Sequence, residues 1–322
     1  TWYKGDMFMC SGRPTGAGAH PSTILQTFRL PEPVKGELEL RFRPTGKEKA
    51  DTAAVENAVP EMIMPKSYLA EYVQYLGNAV PKDTLNVLCV GNSFTYYWGC
   101  PAMLKEIAWN EGHYLRVKST LKGGQTFGDH LALPVSRNVV NAGRYDYAFF
   151  QDQSQSPARY ASDTTQFDYV NTNFLKLTDR LLSRSRNCHV ILESTWSFEK
   201  DDFGGFGSHA AFDSLMTIGT SMMIRNASKI FGANDFEVSP IGRAFSIVRN
   251  ENPGIDLYSA DSKHQSDYGS YLKACVNYLM IFRKPFQSQP ADGATSSIDC
   301  GIPHDQAAYL RQVAERVVLG AR

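Results

Sequence analysis

Apolar positions along this chain fall into two textures. From about residue 83 onward, short runs that are apolar almost throughout recur: Leu85-Asn-Val-Leu-Cys-Val90, then 114–119, 145–150, Val190-Ile-Leu192 and 236–241. Longer stretches with helical spacing lie between and after them, at 102–109 (with Pro101 as first helical residue), 212–229 and 270–282. Strands apolar on both faces belong to a sheet covered on both sides, and strands alternating with helices are joined in parallel. Residues 83–322 are therefore expected to form a three-layer α/β/α domain. Residues 1–82 differ: the turn formers Gly12, Pro14, Gly16, Gly18, Pro21, Pro31, Pro33 and Gly36 surround short alternating runs such as Glu37-Leu-Glu-Leu-Arg-Phe-Arg43. That texture predicts a small β-rich appendage with one helical stretch at 67–76, bounded near Pro81. Gly204-Gly-Phe-Gly207 reads as a mobile loop.

Charge and composition remove several classes of partner. The 33 basic and 33 acidic side chains balance, and no like-charge run stands out, so nothing marks a surface for nucleic acid or an anionic membrane. No apolar stretch reaches the roughly 20 residues of a spanning helix, so no membrane insertion is expected. Six cysteines (Cys10, Cys89, Cys100, Cys188, Cys275, Cys300) include no C-x-x-C pair, which argues against zinc or thiol-exchange chemistry. Cys89 and Cys275 are expected in the core, leaving Cys10, Cys100, Cys188 and Cys300 as residues that could bridge. The sequence starts at Thr1 with no initiator methionine and no apolar targeting stretch, as after removal of an export signal or trimming.

In an open parallel sheet, ligands bind beyond the carboxyl ends of the strands, so the residues after each strand are where chemistry is sought. The first strand runs into Gly91-Asn92-Ser93-Phe94-Thr95, which puts a serine hydroxyl on a strand-to-helix turn beside backbone N–H groups. A nucleophile needs a base. Among seven histidines, His264 alone lies shortly before a helix with a carboxylate three residues back, in Asp261-Ser-Lys-His264 after a strand end expected at Leu257-Tyr258. Such a carboxylate can fix the imidazole tautomer and leave the other ring nitrogen for the serine. Oxyanion donors are available at Lys122-Gly-Gly124-Gln after the second strand and at Gln151-Asp-Gln153-Ser-Gln155 after the third. Glu193 and Trp196 follow the fourth strand, where they either line a substrate cleft or, for the Trp, fill the core. Tyr96, Tyr97 and Trp98 either stack on a sugar ring or pack the sheet edge. Asp129-His130 is a weaker pair, because sequential residues on a helix point about 100° apart. No His/Cys/Asp/Glu cluster has metal-ligand spacing, and Gly123-Gly124 lacks a nucleotide-loop pattern, so no cofactor is implied.

The order Gly-Asn-Ser, Gly, amide, Asp-x-x-His resembles the SGNH (GDSL-like) hydrolase superfamily, over residues from about 84 to 280. The first block, Gly-Asn-Ser-Phe-Thr, is similar to that of a bacterial branch. The Gln-x-Gln-Ser block is similar to the Gln-Gly-Glu-Ser-Asn of carbohydrate acetylesterases. This resemblance implies a flavodoxin-like five-stranded parallel sheet and a serine esterase acting on a small-molecule or glycan ester. Carried over by motif, Ser93 is the nucleophile, His264 the base and Asp261 its partner. The Ser93 and Gly124 amides with the Gln153 side chain form the oxyanion hole, Gln151 competing with Gln153 for that place. Asn92, Gln151, Glu193 and Trp196 complete the substrate-facing set. Such esterases are usually exported, so a periplasmic or secreted location is expected. The alternatives are a lipid acylhydrolase, or a glycan-binding protein that keeps the fold without turnover.

Overall fold

A computed structural model describes residues 83–200, 204–232, 236–287 and 297–320. The expected β-rich segment 1–82, its helix at 67–76 and Cys10 lie outside the described residues. Five strands form one sheet in the order β2-β1-β3-β4-β5, every neighbouring pair parallel: β1 Leu85–Gly91, β2 Leu115–Leu121, β3 Tyr147–Phe150, β4 His189–Glu193 and β5 Phe236–Ser239. The helices are α1 Ser93–Tyr96, α2 Cys100–Asn110, α3 Phe127–Ala132, α4 Pro134–Asn141, α5 Ser156–Ser162, α6 Asp168–Leu182, α7 His209–Phe231, α8 Ile241–Glu251, α9 Asp267–Phe282 and α10 His304–Leu319.

The strands' period of two builds the three layers. Val87 and Cys89 of β1, Phe149 of β3 and Ile191 of β4 join one core cluster with α2, α8, α9 and α10. Leu88, Val90, Ala148, Phe150, Val190 and Leu192 join the other, with α3, α6 and α7. Helix α9 is buried from Gly269 to Ile281, as a helix apolar on all sides requires. The helices begin where side-chain caps permit: Ser208 caps α7 through Ala211 N–H, and Ser266 caps α9 through Gly269 N–H.

Three sequence readings need correction. Ile241 opens α8 after Pro240 rather than ending a strand. Leu257-Tyr258 ends no strand; Tyr258 makes a single antiparallel bridge to Gln265 that pinches off the loop between them. Cys100 and Cys188 are buried, and no disulfide joins two described cysteines. The glycine loop is tethered, Arg159 donating to Gly204 O at 3.4 Å and lying 5.4 Å from the Phe206 ring centroid.

The chain passes from β1 out to β2 and then to β3 on the opposite side of β1, which makes the end of β1 the topological switch point of the sheet.

Candidate active site

The switch point carries the turn that follows β1. Gly91 ends the strand where a Cβ would lie 2.5 Å from Thr95 Oγ1 and 2.9 Å from Gln151 Oε1, so no larger residue fits without a shift. Asn92 caps α1: its Oδ1 accepts from Phe94 N–H at 3.1 Å, while its Nδ2 donates to Gln125 O at 2.8 Å and Asp152 O at 3.2 Å. One amide side chain thereby ties together the segments that follow β1, β2 and β3. Asn92 is 2% exposed, so it braces the turn instead of facing substrate.

Ser93 is the first residue of α1, and its Oγ lies 2.7 Å from His264 Nε2 across 171 positions of sequence. The other ring nitrogen, Nδ1, bonds Asp261 Oδ2. These partners assign the proton to Nδ1 and leave Nε2 to accept from the serine. Asp261 Oδ1 accepts from the N–H groups of His264 at 2.9 Å and Lys263 at 3.2 Å. Ser262, between them, adopts φ 60°, the left-handed region that lets so short a loop turn back on its own carboxylate. Burial raises the Asp261 carboxyl pKa. The hydrogen bonds from the His264 ring and from the backbone of His264 and Lys263 outweigh it, bringing the value down to about 2.

The imidazole is held on its faces as well. Tyr97 stacks on it with centroids 4.2 Å apart and planes at 11°, and Phe94 lies at 4.9 Å and 48°. The base loop is supported from the segment after β4, where Trp196 Nε1 donates to Lys263 O at 3.0 Å and Glu199 N to Ser262 O at 2.9 Å. Trp196 is fully buried and stacked on Phe245, so it fills the core and does not line a cleft. Glu193 is 2% exposed and pairs with Lys273 at 2.7 Å; it too is removed from the substrate-facing set. Trp98 adopts φ 53° and directs its indole N–H at Ser259 Oγ, 3.5 Å away. Such a conformation is strained for a bulky residue and is kept only where the surroundings impose it.

The two glutamines of the third block separate cleanly. Gln151 is fully buried: its Oε1 accepts from Asn92 N–H at 3.1 Å and Thr95 Oγ1 at 3.0 Å, and its amide nitrogen bonds Asp152 O. Gln151 therefore supports the nucleophile turn from inside the core, where its amide is closed off from solvent. Gln153 is half-buried, its Oε1 accepting from Gln155 N–H at 2.9 Å, with its Nε2 3.5 Å from Ser154 Oγ. Gly124 is exposed at φ 71°, a conformation that suits glycine.

Asp129 and His130 serve structure. Asp129 forms a capping box with Thr126, and His130 bonds Gly91 O at 2.9 Å and Ser136 Oγ at 3.0 Å, burial lowering its pKa. The sequence reading missed Gln265 and Lys273, which contact the Ser93 turn from the base side. The available signal was a lone lysine inside the apolar run of α9. Among the described residues no group of three or more His, Cys, Asp or Glu side chains converges as metal ligands would. A groove of about 730 Å³ is lined by Gly128, Leu131, Asn173, Lys176, Arg180 and Arg184, and none of the residues of the Ser93 site lines it.

Asp152 carries a pH signature. Burial raises its carboxyl pKa to about 7, against hydrogen bonds from the N–H groups of Phe127 and Gln153, both 2.8 Å. A carboxyl raised on folding contributes stability below its ordinary pKa and loses it as pH rises through the folded value. Asp152→Asn keeps an oxygen for both N–H groups and never ionises. The melting temperature of the parent should fall relative to this variant between about pH 4 and pH 7, by on the order of a few kcal/mol in stability. Melting curves that stay parallel across that range would refute the assignment.

Comparison with known proteins bears on the fold. No family model and no curated protein matches the chain. Among solved structures, a DUF4886 family protein from Bacteroides uniformis superposes with a TM-score of 0.54 at 16% identity, covering 74% of this chain and 95% of that one. An acetylxylan esterase from Geobacillus stearothermophilus gives 0.44 at 13%, covering 61% and 94%. A lipase/acylhydrolase from Enterococcus faecalis gives 0.43 at 14%, covering 63% and 100%. The described domain shares the fold of the Bacteroides uniformis protein, a five-stranded parallel sheet between two layers of helices.

Proposed function

We propose that this protein is a serine esterase that removes small acyl groups, acetyl foremost, from a carbohydrate. One observation carries the reading: a serine hydroxyl on the turn after β1 lies 2.7 Å from an imidazole whose far nitrogen bonds a carboxylate. His264 Nε2 takes the Ser93 proton as Oγ bonds to the ester carbonyl carbon. The electron pair of the carbonyl moves onto oxygen, and the tetrahedral oxyanion is met by the Ser93 and Gly124 N–H groups and the Gln153 amide. As the first residue of α1, Ser93 carries a backbone N–H with no acceptor inside the helix. Collapse of the adduct expels the sugar alcohol, which takes the proton from His264. Water then repeats the sequence on the acyl-enzyme, releasing acid and restoring Ser93.

The small acyl group follows from the resemblance of the Gln151-Asp-Gln153-Ser block to that of carbohydrate acetylesterases. Tyr97 and Trp98, half-buried, supply aromatic surface for a sugar ring, Tyr97 directly against the base. A glycan substrate goes with a periplasmic or secreted location. The test is a substrate panel: p-nitrophenyl acetate, butyrate and octanoate, acetylated oligosaccharides and a phospholipid. The acetyl esters should exceed the octanoyl ester in kcat/KM by at least about 10-fold. Preference for octanoate or phospholipid would make the protein a lipid acylhydrolase, and absence of turnover across the panel would leave a glycan-binding protein.

A further inference from the structure

Beneath the Ser93 turn lies a buried polar cluster that the proton relay does not use. Lys273 of α9 is 1% exposed. Its ammonium donates to Phe94 O at 2.8 Å and to Thr95 Oγ1 at 3.3 Å, and pairs with Glu193 Oε2 at 2.7 Å. Glu193 Oε1 accepts from Asn277 Nδ2 at 2.7 Å, and Asn277 Oδ1 accepts from Ser239 Oγ at 2.9 Å. From the base loop, Gln265 Nε2 donates to Ser93 O at 3.3 Å and Phe94 O at 3.2 Å.

A buried ion pair is a poor source of stability, because desolvating two charges roughly cancels their attraction. An apolar pair of similar volume would hold α9 against the sheet as well. What it could not do is donate to a carbonyl. Helix α1 is only four residues long, so its carbonyls depend largely on donors from elsewhere. For Phe94 O those donors are an ammonium fixed by Glu193 and an amide carried by the residue after the base.

We propose that Lys273, together with Gln265, is a positioning residue for Ser93. The two donors fix the peptide planes that follow the nucleophile, and with them the direction of Ser93 Oγ toward His264. Glu193 keeps the ammonium aimed. This rests on the reading of Ser93 as nucleophile, and it assigns the buried pair to catalytic geometry.

The test uses Lys273→Met/Glu193→Gln, which removes both charges at once and leaves neither buried alone. The variant should melt within a few degrees of the parent, with KM within about 2-fold. Its kcat, and the rate at which a fluorophosphonate labels Ser93, should both fall about 10- to 100-fold, the loss expected of a misplaced nucleophile. A folded double variant with parental kcat and labelling rate would overturn the proposal. Should it not fold, Gln265→Met leaves the ion pair in place and removes the other donor to the same carbonyls. The same kcat loss at constant KM is then expected, and parental kcat overturns the proposal. Ser93→Ala separates the two levels: full activity there defeats the nucleophile itself, whereas labelling of Ser93 at the parental rate in the charge-free variant defeats only the positioning role.

Discussion

On the proposed mechanism, Ser93→Ala is expected to lower kcat by about 10⁴-fold or more and to abolish labelling by serine-reactive phosphonates, while its melting temperature stays with that of the parent. The effect on turnover is large because the hydroxyl supplies the bond that forms in the first step, and no other side chain takes its place against His264 Nε2. The effect on folding is small because Ser93 Oγ bonds only the His264 ring among the contacts that define the turn, which Asn92, Gln151 and Thr95 hold without it. Alanine also suits the start of a helix interior. The measurement is release of p-nitrophenol from the acetate under single-turnover and steady-state conditions. Equal rates for parent and variant would sink the serine mechanism.

The second large effect is expected for Asp261→Asn. An asparagine Oδ1 can still accept from the N–H groups of Lys263 and His264, at 3.2 Å and 2.9 Å in the parent, so the loop keeps its shape. Its amide nitrogen, however, now faces His264 Nδ1, which must turn acceptor and pass its proton to Nε2. The imidazole then presents a hydrogen to Ser93 where a lone pair is needed. A loss of about 10³- to 10⁴-fold in kcat at nearly constant KM is expected. The pH profile gives an independent check. Because hydrogen bonding outweighs burial and holds the Asp261 carboxyl near 2, its stabilising contribution is present above the ordinary value near 3.8 and is lost only as pH falls toward 2. Asp261 therefore stays ionised on mild acidification, and kcat/KM should show no step from this carboxylate between about pH 7 and pH 4. A step in that range that Asp261→Asn removes would contradict the assignment.

The parallel sheet was legible because strands buried on both faces leave an apolar run that turns and helices interrupt. Helix α6 was passed over although Val170, Phe174, Leu177 and Leu181 are buried at helical spacing, the polar residues between them masking the stripe. The relay was legible because each half is local: a strand-to-turn serine, and a carboxylate three residues before a histidine. Its supports were not, since Lys273 reaches Phe94 across 179 positions and only the fold brings them together. Glu193 and Trp196 follow a strand, which suggests a cleft position for both with the core as the alternative for Trp196; for Glu193 strand parity decides otherwise. Glu193 points to the same face as Ile191, the one that α9 covers. Parity likewise explains nothing about Gln151 and Gln153, whose separation depends on which of them the capping turn of Asn92 enlists.

Gln265 and Lys273 grip the nucleophile turn from segments made long after it. On the ribosome, a growing chain therefore displays its serine well before it owns a base to activate it or a clamp to aim it. On the proposed roles, a fragment ending before Asp261 holds the serine without its base, and one ending before α9 keeps the base but lacks the Lys273 donor to the turn.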